Sequence, residues 1–68
     1  MTVNKVLELM SESTKSWEDA AQMAVTKASK TVTAIKSVWV QDFSATVDDK
    51  GKIATYRVTC KVTLEVDD

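Results

Sequence analysis

Residues Ile53 to Val66 read IATYRVTCKVTLEV, and the rest of the chain is organised around them. Every second residue from Ala54 onward is apolar: Ala54, Tyr56, Val58, Cys60, Val62, Leu64, Val66. Those between are Ile53, Thr55, Arg57, Thr59, Lys61, Thr63 and Glu65, polar after the first. Side chains on a strand alternate faces, so this is a two-faced β-strand, apolar on one side and wettable on the other. Its Val and Thr content fits a pleated surface. Strands usually run about 5 to 6 residues, and this one is roughly twice as long. A short chain cannot cover it from end to end, which implies that another copy of the chain packs against part of it.

Working outward, 68 residues make a single domain, 1–68. A chain of this size buries only about 60% of its unfolded surface and is marginal alone. Disulfides, a metal or oligomerisation are the usual remedies. Cys60 is the only cysteine and there is no His, so no internal disulfide is available and the commonest metal ligand and general base are missing. Oligomerisation remains. Nine Lys and Arg against ten Asp and Glu give a net charge of −1, without the basic stripe of a nucleic-acid footprint. No apolar run approaches the roughly 20 residues of a membrane span. No signal-peptide pattern opens the chain, and a lone thiol on an apolar face points to the cytoplasm.

Residues 2–10 (TVNKVLELM) have apolar residues on both parities, as in a short strand touched on two sides, and 11–15 form a polar connection. Ser16 is a good helix N-cap, with Asp19 three residues on as a variant of the capping box. Glu18 and Asp19 in the first turn and Lys27 and Lys30 toward the end suit the helix dipole. Trp17, Ala21, Ala24, Ala28 and Val32, widened by Ala20 and Val25, form an apolar stripe to about Thr33. Being mostly Ala, it lets the helix lie close to a sheet.

Ile35 to Val47 reads as a second strand in which Val38 and Val40 are apolar at even positions but Phe43, Ala45 and Val47 at odd ones. A β-bulge near Gln41 and Asp42 restores the phase. Residues 48–51 (DDKG) hold the only Gly and make a tight reversal, so 43–47 and 53–58 form a hairpin. The order is strand, helix, strand, strand. With the third strand central every pair is antiparallel, and the helix covers the apolar face of that strand. The predicted fold is α+β: a βαββ unit, a three-stranded antiparallel sheet with one amphipathic helix on one face. The face carrying Thr55, Arg57, Thr59, Lys61 and Thr63 has nothing in the chain to cover it.

The phrases KVLELM, TKSWEDAAQMAV, ASKTVTAIKSVWV, DDKGKI and TYRVTCKVTLEV, in this order over nearly the whole chain, resemble the bacterial type of dodecin. That resemblance implies a hollow homododecamer that binds flavins in pairs near two-fold axes and stores the cofactor without turning over a substrate. The stacking Trp of flavin-binding dodecins falls on Ser37, and the Gln that holds the polar edge of the ring falls on Arg57, directly after Tyr56. A basic residue common farther along the second strand falls on Ser44. Trp39, two positions beyond Ser37, points to the same side of a regular strand and can take over stacking. Arg57 offers five donors in a planar fork. The expected cofactor-binding residues are therefore Ser37, Trp39 and Arg57, on the wettable side of the sheet near a subunit boundary, for riboflavin or FMN.

The bland readings are that Trp39 packs at an interface and that Arg57 pairs with Glu8 or Glu65 of a neighbouring copy. With these the alternative is the same shell without flavin, holding ions, another small ligand or none. Trp17 reads as structural. No catalytic residues are expected, since a nucleophile needs a nearby base and only carboxylates are on offer. Asp48, Asp49, Asp67 and Asp68 lack the spacing of a cation loop and read as solvated ends. The partners expected are other copies and a small ligand, with no nucleic acid and no membrane.

Overall fold

The structure is a computed structural model that describes residues 3–30 and 34–66. Its elements are β1 (Val3–Ser13), α1 (Trp17–Ala28), β2 (Ile35–Val47) and β3 (Ile53–Val66). The sheet order is β1-β3-β2, with both edge strands antiparallel to β3. This is the βαββ arrangement that the alternation of β3 requires.

The even face of β3 carries the core: Val58, Cys60, Val62 and Leu64 are buried, and Ala20 and Ala24 pack on Val58 and Cys60. The stripe on α1 is narrower than its sequence suggests. Its buried line is Ala20, Ala24 and Ala28, while Trp17 and Ala21 lie at its flank toward β2, half-buried. Ser16 caps the helix by accepting from the Asp19 N–H at 2.9 Å. The Asp19 carboxylate turns instead to the Ser13 hydroxyl, which donates to Oδ2 at 2.6 Å. The helix ends at Ala28, short of the 33 expected, with Ser29 as its C-cap. Val32 and Thr33, placed on the stripe and at the helix end by sequence, lie outside the described residues, as does Thr2.

Strand β1 is longer than residues 2–10. Three residues assigned to the polar connection, Ser11, Glu12 and Ser13, pair with Val58, Arg57 and Tyr56. The reason is tertiary. Ser11 and Ser13 point at the helix and find partners there: Ser11 Oγ donates to the Ala20 carbonyl at 2.6 Å, and Ser13 bonds Asp19. Polar residues on an inner face are tolerated where their hydrogen bonds are satisfied.

In β2 the register shifts between Val40 and Asp42, the bulge that the change of parity demands. It leaves Val38 and Val40 before it, and Phe43 after it, opposite the core residues Val62, Cys60 and Val58 of β3, with Ala45 opposite the half-buried Tyr56. Two further shifts, between Ile35 and Ser37 and between Thr46 and Val47, leave no such mark in the sequence. The reversal holds Gly51 at φ 79°, a left-handed conformation that suits glycine. Asp48 Oδ1 accepts from the N–H groups of Lys50 and Lys52.

The helix covers only part of the sheet. Twelve helical residues span about 18 Å, whereas fourteen strand residues span about 46 Å. The molecule is correspondingly elongated, 53 × 19 × 13 Å. Apolar side chains are left exposed at both ends: Val3, Val38 and Val66 at one, Phe43, Val47 and Ile53 at the other.

Candidate ligand-binding face

The face of the sheet opposite α1 is built by the register. Across β3, Arg57 sits between Glu12 and Ser44, Lys61 between Glu8 and Trp39, and Thr63 between Val6 and Ser37. No described element covers these side chains. Ser37, Trp39 and Arg57 all lie on this face, as their parity predicts.

Ser37 and Trp39 are neighbours on one side of β2, and Trp39 is 63% exposed. Arg57 is not brought to them within one chain. The β3 partner of Trp39 is Lys61, four residues from Arg57, a separation of roughly 13 Å. Arg57 is also engaged. Its Nε donates to Glu12 Oε1 at 2.6 Å, with both side chains about half exposed. Within the chain its partner is thus Glu12. In the sequence Glu12 reads as part of the polar connection, and it is the continuation of β1 to Ser13 that sets it opposite Arg57.

A cation does stand beside Trp39. The Lys61 ammonium lies 5.5 Å from the centre of the Trp39 ring, within cation–π range. Lys61 was not singled out from sequence. Its alternation puts it on the right face, but only the register makes it the neighbour of Trp39. Trp17 is structural, as expected: its Nε1 donates to the Ser44 carbonyl at 2.9 Å, and its ring meets Tyr56 edge-on at 4.8 Å and Phe43 at 6.2 Å.

Two grooves flank the helix. One, of about 620 Å³, lies between α1 and β1 and is lined by Leu9, Met10, Met23 and Ala24 among others. The other, of about 430 Å³, lies between Trp17, Ala21, Val40 and Phe43. Neither includes Ser37, Trp39 or Arg57. Among the described residues no three His, Cys, Asp or Glu side chains are grouped to hold a metal ion, and no helix is long and apolar enough to cross a membrane. Burial pushes the Cys60 thiol above its ordinary value.

The architecture and the wording of the sequence converge when compared with known proteins. The family model for dodecin matches residues 3–67. The chain belongs to the dodecin family. A calcium dodecin from Mycobacterium tuberculosis (strain ATCC 25618 / H37Rv) is 38% identical over 66 residues, covering 97% of this chain and 92% of that protein. The crystal structure of the M. tuberculosis calcium dodecin, described as a calcium-chelating antigen with a novel calcium-binding site, superposes with a TM-score of 0.82 at 37% identity, over 96% of this chain and 91% of that one. A Thermus thermophilus dodecin variant superposes with a TM-score of 0.91 at 26% identity over the whole of both chains. Dodecins are small binding proteins, and the fold expected from the resemblance is the fold observed.

Proposed function

We propose that this dodecin is a non-catalytic storage protein. Its copies close into a homododecamer, and their open sheet faces, meeting at the boundaries, hold a planar aromatic ligand, a flavin such as FMN or riboflavin, stacked on Trp39. The observation that carries this reading is an indole 63% exposed on a face that no described element covers. The apolar ends of the sheet left bare by the short helix supply the drive to assemble. Ser37 keeps the space beside the indole open, and Arg57 contributes charge from farther along the face. A compartment that keeps the single thiol reduced, such as the cytoplasm, suits the assembly.

The test is a titration of riboflavin with protein, followed by flavin fluorescence. Stacking on Trp39 quenches the flavin, and Trp39→Ala weakens binding by roughly 1 to 3 kcal/mol, the range for one ring on one aromatic side chain. Absence of quenching by the natural protein, or equal quenching by Trp39→Ala, contradicts the reading.

A second reading has its own support: a shell that holds ions. The M. tuberculosis relative is named for calcium, and Arg57, at the position of the family's ring-binding Gln, is tied to Glu12. The described residues of one chain offer no metal-binding group, so a calcium site would draw carboxylates from more than one copy. A rise in melting temperature with calcium, without flavin quenching, favours this second reading.

A further inference from the structure

We infer that Lys61 makes the Trp39 platform selective for planar aromatic anions, rings bearing a phosphate or carboxylate, over the same rings uncharged. The inference rests on the reading of Trp39 as a stacking platform.

It starts from one row of the sheet. Glu8, Lys61 and Trp39 lie side by side on β1, β3 and β2. Directly opposed residues in antiparallel strands have their Cβ atoms about 5 Å apart, so Lys61 has a carboxylate and an indole within equal reach. Its ammonium lies over the indole, 5.5 Å from the ring centre, and makes no ion pair with Glu8. Nor does it pair with Asp42, the other carboxylate nearby, which sits opposite Thr59. The cations around it are committed elsewhere, Arg57 to Glu12 and Lys36 to Glu65. Among the described residues of this face Lys61 is thus the cation with no carboxylate partner.

A ring arriving on Trp39 either displaces the ammonium or stacks on the opposite side of the indole. In both cases the ammonium, on a flexible four-carbon stem with three donors, stays within reach of the ligand. A phosphate or carboxylate offers it a charge-assisted hydrogen bond. A neutral ring that displaces it removes a cation–π contact and returns nothing. Charge on the ligand therefore decides between otherwise equal rings. Glu8, in the same row, opposes an anion and limits the preference.

Riboflavin and FMN share one ring system and differ by a phosphate, so they separate the two contributions. Titrated into the assembled protein at low salt, FMN should bind more tightly than riboflavin by up to about fivefold, the range of exposed ion pairs. The gap should shrink as salt is raised. Lys61→Gln should close it by weakening FMN, Lys61→Arg should preserve it, and Glu8→Gln should widen it. An unchanged gap in Lys61→Gln, or equal loss of both flavins, overturns the role of Lys61. If Trp39→Ala abolishes both flavins while Lys61→Gln leaves the gap intact, the platform reading survives and this inference falls. If the natural protein quenches neither flavin, the platform falls first and the role of Lys61 with it.

Discussion

Replacing Ala20 by Leu tests how closely the helix lies on the sheet. Ala20 has no exposed surface and packs against Val58 and Cys60, which are 1% and 0% exposed. It lines neither of the two grooves, so the three added carbons have no space to enter. Its carbonyl also holds Ser11, so lifting the helix strains a 2.6 Å hydrogen bond. Overpacking a closed contact costs typically about 1 to 3 kcal/mol. For a domain of this size each kcal/mol lowers the melting temperature by about 4 to 8 °C. Ala21 is the control. It is one residue away on the same helix but borders the groove of about 430 Å³ beside Trp17, Val40 and Phe43. Ala21→Leu should therefore change stability by no more than about 0.5 kcal/mol. Thermal melts followed by circular dichroism at fixed protein concentration measure both, since assembly makes melting concentration-dependent. Equal melting temperatures for the two variants, or a larger loss for Ala21→Leu, would refute the packing described.

Two further expectations concern single contacts. Trp17→Phe removes the Nε1 donor to the Ser44 carbonyl while keeping a ring against Tyr56, and should cost about 0.5 to 1.5 kcal/mol by denaturant unfolding; no loss would mean that the bond adds nothing to what packing supplies. For Cys60, burial raises the thiol above its ordinary 9.0, so the folded state favours the neutral form. Stability from this group is complete below pH 9 and declines as pH rises through the folded value. Melting temperatures at pH 7 and pH 10 should therefore fall further for the natural protein than for Cys60→Ala, and parallel falls would contradict the burial argument.

Much of this fold is legible because it is written in local periods. The alternation from Ala54 to Val66 gives β3 and its two faces. The parity change between Val40 and Phe43 gives the bulge, and Asp48 to Gly51 gives the reversal. What escapes the sequence depends on partners far along the chain. Ser11 and Ser13 look like loop residues until Ala20 and Asp19 are seen to satisfy them. The same gap hides Glu12 as the partner of Arg57. The apolar stripe of the helix is narrower than its sequence pattern, because the sheet buries the line Ala20, Ala24, Ala28 and leaves Trp17 and Ala21 at the edge. In the candidate site, the shared face of Ser37, Trp39 and Arg57 follows from parity alone. Their spacing does not. The register separates Arg57 from Trp39 and puts Lys61 in its place, and no local pattern encodes that.

Assembly underlies the whole account, because the bare ends of the sheet and the open face around Trp39 both call for neighbouring copies. Light scattering after size exclusion measures it directly. The account predicts a single species with a mass near twelve chains of 7.5 kDa. A monodisperse monomer at micromolar concentration would contradict it.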